Sequence, residues 1–227
     1  MISKFKYVFV VLLCMSMFGC SVTIIGSSDD QGLIQVANEY SIIRDYKEYK
    51  VNESYVELSK IELDKTFDNP WAMEFIDDNL MVVTEKNGKL SLVDLVNQTV
   101  FDIMHKIPMT QYGQGGLLDV LKFEDYLYLS YTVSNKDEKY TTAIGRGLFV
   151  YPYKELKGFE QIFTAKPFYK DSKHFGSRML IKSRYLFASI GERGQGSVAQ
   201  DLDSHAGSII RINLDGTVTE NSYENNL

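Results

Sequence analysis

From Tyr55 onward the chain consists of short runs in which apolar and polar residues alternate, bounded by turn residues. That pattern leaves room for little besides antiparallel β-structure, because successive side chains of a strand point to opposite faces. Residues 56–63 alternate cleanly. Runs at 71–76, 80–85, 89–94 and 99–104 follow, divided by Asp77-Asp78-Asn79 and by Asn87-Gly88, a pair suited to the positive φ of a type I′ hairpin turn. After Gly113-Gln114-Gly115-Gly116 the scheme returns at 117–123, 126–131, 147–153 and 161–165. After His174 it returns at 179–181, 185–190 and 207–212, with a last run from Thr217. No convincing helical period separates the groups. Three groups of about four strands predict an all-β chain built of propeller blades. A β-sandwich is the other architecture the runs permit; the recurrence of polar glycine-rich loops at one equivalent place in each group favours the propeller. Fifteen Tyr and thirteen Phe against one Trp agree with strands.

The first 54 residues read differently. Lys4 and Lys6 precede an apolar stretch over 7–18 that is too short to span a bilayer as a mature helix, and it ends at Gly19-Cys20. Residues 1–19 are therefore expected to be an export signal. A small residue before Cys20 resembles the bacterial lipobox, which makes Cys20 the expected lipidation point; Phe18 is bulkier than that pattern prefers, and an ordinary secretory signal is the alternative. The mature chain would then be anchored to a bacterial membrane by lipid alone, on the periplasmic or cell-surface side. Residues 20–54 are expected to be tether and irregular chain, and residues 55–227 the partial propeller. Cys14 and Cys20 are the only cysteines, so the exported domain is expected to have no disulfide. Removal of residues 1–19, which carry Lys4 and Lys6 and no acid, takes the formal charge from −6 to −8. With no basic tract, nucleic acid is excluded as a partner.

Chemistry concentrates around His174. It lies in Lys173-His174-Phe175-Gly176-Ser177-Arg178, one hairpin ahead of Gly191-Glu192-Arg193-Gly194. A neutral imidazole oriented by a carboxylate is a general base suited to neutral pH. A histidine satisfied by local hydrogen bonds is the alternative. Gly113-Gln114-Gly115-Gly116 precedes a strand, and phosphate-cradling glycine loops need a following helix, so a nucleotide site is disfavoured. The loop can instead serve as a tight turn that exposes the Gln114 amide. Asp201-Leu202-Asp203 and Asn213-Leu214-Asp215-Gly216 are too poor in ligands for a helix–loop–helix calcium site, and the second reads as a hairpin turn. No nucleophile elbow supports a hydrolase triad. His105 is expected to be structural and His205 to lie on a surface loop or behind the site.

Six segments occur together in one order: Asn69-Pro70-Trp71-Ala72-Met73-Glu74-Phe75, Gly113-Gln114-Gly115-Gly116-Leu117-Leu118-Asp119-Val120, His174-Phe175-Gly176-Ser177-Arg178, Ile190-Gly191-Glu192, Ala199-Gln200-Asp201-Leu202-Asp203 and Gly207-Ser208-Ile209-Ile210-Arg211-Ile212-Asn213-Leu214-Asp215-Gly216. Over residues 55–218 the chain thereby resembles the soluble glucose/sorbosone dehydrogenases, in particular their aldose sugar dehydrogenase branch. The resemblance implies a six-bladed β-propeller of which this chain carries the N-terminal half. It implies pyrroloquinoline quinone (PQQ) and calcium as cofactors, and an aldose oxidised at its anomeric carbon to the lactone. It also implies His174 as the base, Glu192 as the acid that orients it, and Gln114 beside quinone and sugar. The family's later Arg-Asn-Pro-Gln-Gly segment, its calcium loop and its cofactor-gripping basic residues have no counterpart up to Leu227. The expectation is a truncated dehydrogenase that is inactive on its own, with no metal site of its own. The alternative is a non-catalytic propeller-like binding or assembly lipoprotein. The sugar and the electron acceptor stay open.

Overall fold

Leu80–Glu85 opens on four apolar residues and is buried at every position after the first, the mark of a strand covered on both faces. The computed structural model in which it sits describes residues 8–13, 21–27 and 56–219, with side chains from 61 onward. The chain divides into two compact units, Met1–Thr66 and Phe67–Leu227.

In the first unit, β1 (Val8–Leu13), β2 (Ser21–Ser27) and β3 (Val56–Ile61) form an antiparallel sheet in that order. Ser21–Ser27, expected to be tether, is thus a strand. Val22, Ile24 and Ile25 are β-branched residues that favour the pleat over irregular chain. The alternating run at 56–63 is a strand over Val56–Ile61, and it pairs with Ser21–Ser27. Lys4, Lys6, Cys20 and residues 31–52 lie outside the described residues.

The second unit is a succession of antiparallel meanders. β4 (Pro70–Phe75), β5 (Leu80–Glu85), β6 (Leu90–Asp94) and β7 (Thr99–Asp102) make the first sheet. β8 (Leu117–Phe123), β9 (Tyr126–Ser134), β10 (Tyr140–Leu148) and β11 (Lys157–Thr164) make the second, and β12 (Gly176–Lys182), β13 (Tyr185–Ile190) and β14 (Ile209–Asn213) the third. The leading strand of each sheet lies against the leading strand of the next, β4 on β8 and β8 on β12. That is the arrangement of consecutive propeller blades, each sheet face covered by its neighbour. A fourth strand from Thr217 is reduced to a single bridge between Ile212 and Val218 among the described residues.

The period of two in β9 builds both seams. Leu127, Leu129 and Tyr131 join Val82, Leu90 and Leu92 in the core between the first and second blades. Tyr128, between them in sequence, packs with Ile144, Met179, Leu186 and Ala188 in the core between the second and third. Polar bonds cross the same seams. Thr84 Oγ1 donates to Leu118 O (2.6 Å), Asp119 Oδ2 accepts from Met179 N (2.7 Å), and Thr142 Oγ1 donates to Phe175 O (2.7 Å).

Two turn expectations change. The Asn87-Gly88 turn is not of type I′. Gly88 has a φ of 103° while Asn87 does not enter the positive region, and Gly88 N donates to Glu85 O at 2.9 Å. That is the longer hairpin in which a left-handed residue follows an ordinary turn. Beyond Leu148 the run expected at 147–153 is not a strand either. Pro152 offers no N–H to a ladder, Tyr153 N donates to Val150 O (2.9 Å) in a turn, and the strand lies upstream at Tyr140–Leu148.

Candidate active site

The site is assembled by three loops, each leading into or out of a blade's inner hairpin. The first precedes β8. Gly113 has a φ of 56°, and a Cβ there would stand 2.2 Å from Ser172 O; only glycine lets these backbones approach. Gln114 N donates to Ser172 O at 2.8 Å, which ties this loop to the one before β12. The Gln114 side chain then closes the link, its Oε1 accepting from His174 N at 2.9 Å.

His174 sits at a φ of 54°, and its backbone is stitched to the loop after β13. Gly191 N donates to Phe175 O (3.2 Å) and Arg193 N to His174 O (3.3 Å). A Cβ on Gly191 would fall 1.9 Å from His174 O, so glycine is required for the two loops to lie this close. The close approach delivers the acid to the imidazole: Glu192 Oε1 is hydrogen-bonded to His174 Nδ1. Gly194 N donates to the same oxygen at 3.2 Å.

The His174 hydrogen bond is the main reason the Glu192 carboxyl is held below its ordinary range, with the Gly194 amide adding to it. Glu192 is therefore ionised at neutral pH and can only accept. His174 Nδ1 must donate, and in the neutral ring the lone pair is left on Nε2. The His174 side chain is 47% exposed and that of Glu192 31%, so the pair is open to a ligand. Tyr112, in the loop of Gln114, is stacked on Tyr140 with centroids 3.8 Å apart, and its hydroxyl donates to Lys170 O at 3.1 Å.

The three residues singled out in the sequence thus meet in one hydrogen-bonded group. The other two histidines lie elsewhere and are spent on structure. His105 bridges Gly88 O and Ile107 N (2.9 and 3.3 Å). His205 Nδ1 accepts from Lys166 N (2.9 Å). Burial pushes both imidazoles down. Asp203 N donates to Asp201 Oδ1, and Gly216 N to Asn213 O, so both acidic segments are turns. Among the described residues no group of three or more His, Cys, Asp or Glu could hold a metal ion.

Sequence reasoning passed over Arg193. It is 1% exposed, and its guanidinium faces backbone carbonyls and the Phe175 ring. An arginine that follows an acid in a glycine-rich loop reads as solvated, and carbonyl partners leave no mark in a sequence.

Residues 67–226 match the glucose/sorbosone dehydrogenase family. The aldose sugar dehydrogenase YliI of Escherichia coli K12 is 30% identical over 167 residues, which are 70% of this chain and 45% of that protein. The crystal structure of the soluble aldose sugar dehydrogenase from Escherichia coli in its apo form superposes with a TM-score of 0.65 at 30% identity, over 69% of this chain and 47% of that one. The PQQ-bound aldose sugar dehydrogenase of Streptomyces coelicolor shares the fold at 20% identity, with a TM-score of 0.62 over 72% and 49%. The chain spans about half the length of the relatives it matches.

Proposed function

The chain belongs to the glucose/sorbosone dehydrogenase family, and we propose that it supplies the proton-transfer side of a quinoprotein site that oxidises an aldose at its anomeric carbon to the lactone. One observation carries this reading: an exposed imidazole whose Nδ1 is held by an ionised Glu192, leaving Nε2 to accept a proton. His174 Nε2 removes the proton of the anomeric hydroxyl as the C1–H bond breaks and the C1 carbonyl forms. Glu192 stabilises the imidazolium that results. PQQ, when bound, supplies the acceptor for the hydride.

The residues present suit such a group. The –NH₂ of Gln114 is left over after its oxygen has bonded His174 N, and it can donate to a quinone or sugar oxygen. The Lys86 ammonium, at 3.1 Å from Gly113 O, adds positive charge beside the loop for an anionic cofactor. The described residues offer no cluster of acidic side chains for calcium.

We also propose that the chain is exported and lipid-anchored through Cys20. Lys4, Lys6 and the apolar stretch ending at Gly19-Cys20 support this reading.

The test of the catalytic reading is aldose oxidation by the full chain supplied with PQQ and calcium, followed through an artificial dye acceptor. His174→Ala is expected to lower turnover by about 10²–10⁴-fold with the fold intact. A His174→Ala variant with near-normal turnover while it carries PQQ overturns the assignment.

A further inference from the structure

Arg193 is a cation at the centre of the site that the proposed chemistry does not use. Its side chain is buried without a carboxylate hydrogen-bonded to it. Nε donates to Lys173 O (3.0 Å), Nη1 to Tyr140 O (2.7 Å) and Nη2 to Asp171 O. Cζ lies 3.5 Å from the centroid of the Phe175 ring. Burial draws its pKa down to about 10, so it is charged at neutral pH. Burying a guanidinium is costly unless its donors are met. Here they are met by one stretch of backbone, residues 171–175, together with the first residue of β10.

Those contacts bracket His174. The guanidinium holds the carbonyl of the residue before it and the ring of the residue after it, while the Arg193 amide holds the carbonyl of His174 itself. Glu192, the next residue back, holds the imidazole. Two consecutive residues thus fix both the backbone and the ring of the same histidine. The left-handed backbone of His174, with a φ of 54°, is a conformation that a non-glycine residue keeps only where its surroundings impose it.

We propose that Arg193 is a positioning residue: by clamping residues 171–175 it fixes the His174 ring in the Nδ1–H tautomer that leaves Nε2 as the proton acceptor. The planar fork matters as well as the charge, since three carbonyls on two chain segments are met by three N–H groups of one plane. The inference rests on the general-base reading of His174, but its test does not depend on turnover.

The chain has three histidines, so long-range ¹H–¹⁵N spectra of the full chain resolve each imidazole, and His174→Ala assigns the signal. In the wild type, the neutral His174 ring is expected as the Nδ1–H tautomer. In Arg193→Met it is expected to become a mixture of tautomers. Hydrogen exchange at the Gln114, His174 and Gly191 amides, which the clamped loop bonds, is expected to speed up by about tenfold, the equivalent of one hydrogen bond lost. Glu192→Gln is expected to release the tautomer while leaving those exchange rates near wild type, which separates the clamp from the acid. If Arg193→Met does not fold, Arg193→Lys decides. It keeps the charge but not the fork, and is expected to show intermediate exchange and a partly released tautomer. A folded Arg193 variant with the wild-type tautomer and wild-type exchange overturns the proposal. If the ring is released in the Arg193 variants while His174→Ala keeps full turnover, the clamp stands and the catalytic reading falls.

Discussion

The strand that carries His174 into the third blade is hung on one carboxylate, and the cost of losing it can be worked out. Asp119 is 2% exposed. Oδ2 accepts from Met179 N at 2.7 Å and Oδ1 from Arg178 Nη1 at 2.6 Å. Asp119→Ala strips both. The Arg178 side chain is 73% exposed, so its guanidinium is rehydrated once released, and that loss is worth at most about 1 kcal/mol. The Met179 amide is buried and left without an acceptor, which costs about 1–3 kcal/mol. The sum is about 1–4 kcal/mol, and at roughly 2–4 °C per kcal/mol for a chain of this size the melting temperature should fall by about 2–16 °C. Asp119→Asn separates the contributions. Its amide oxygen still accepts from Met179 N, and the change removes a charge whose burial is the main reason the Asp119 pKa is raised above 3.8. A carboxyl with a raised native pKa binds its proton more tightly when folded. It therefore opposes folding above that pKa, and the penalty fades as pH falls towards 3.8. Asp119→Asn should accordingly cost less than about 1 kcal/mol at neutral pH. Urea denaturation of the two variants beside the wild type is the assay. Equal losses for Ala and Asn would show that charge pairing with Arg178, not the Met179 acceptor, holds the strand, and would refute the reasoning.

Other outcomes follow from the same geometry. Gly191→Ala places a Cβ 1.9 Å from His174 O; it should push the two loops apart and destabilise the fold by about 1–3 kcal/mol, measurable by thermal unfolding, with loss of the His174–Glu192 bond in imidazole NMR. Because the Glu192 pKa is lowered, the contribution of its pairing to stability is present above the ordinary value of 4.5 and is lost as pH falls through the native value below it; acid titration of Glu192→Gln should lack that step. Thr84→Val leaves Leu118 O without its 2.6 Å donor across the first seam and should cost about 1–3 kcal/mol by urea denaturation. Cys20→Ser should move the protein from the membrane to the soluble fraction on cell fractionation; unchanged retention would count against lipidation.

Local chemistry made much of the fold legible. Leu80–Glu85 and Leu117–Phe123 fall where alternation and turn residues put them, because those runs carry both the strand pattern and its stops. β10 did not: the run was expected at 147–153, whereas the strand is Tyr140–Leu148 and contains Gly145 and Gly147. In the structure they are packing positions: a Cβ on Gly145 would meet the Phe159 ring at 2.4 Å, and one on Gly147 would meet Leu156 at 2.7 Å. The need for glycine there is set by side chains of the neighbouring strand, which no local pattern encodes. The pairing of Val56–Ile61 with Ser21–Ser27 was hidden for the same reason: alternation identifies a strand but not its partner. At the site, the loops that bring Gln114, His174 and Glu192 together could be read from motif order. The clamp on residues 171–175 could not, since Arg193 binds carbonyls that every residue has.

The alternation along β9 also limits how this chain can change in length. Leu127, Leu129 and Tyr131 serve one seam and Tyr128 the other. Inserting or deleting a single residue within β9 would exchange the two sets, driving bulky side chains of one core into the space shaped for the other. Such a change spoils two interfaces at once, and no point substitution nearby restores both. The Asn135–Lys139 turn beyond it, closed by Asn135 N on Lys139 O, can absorb added residues without shifting that frame. Homologous chains should therefore differ in length at this turn and keep a constant count between Tyr126 and Ser134.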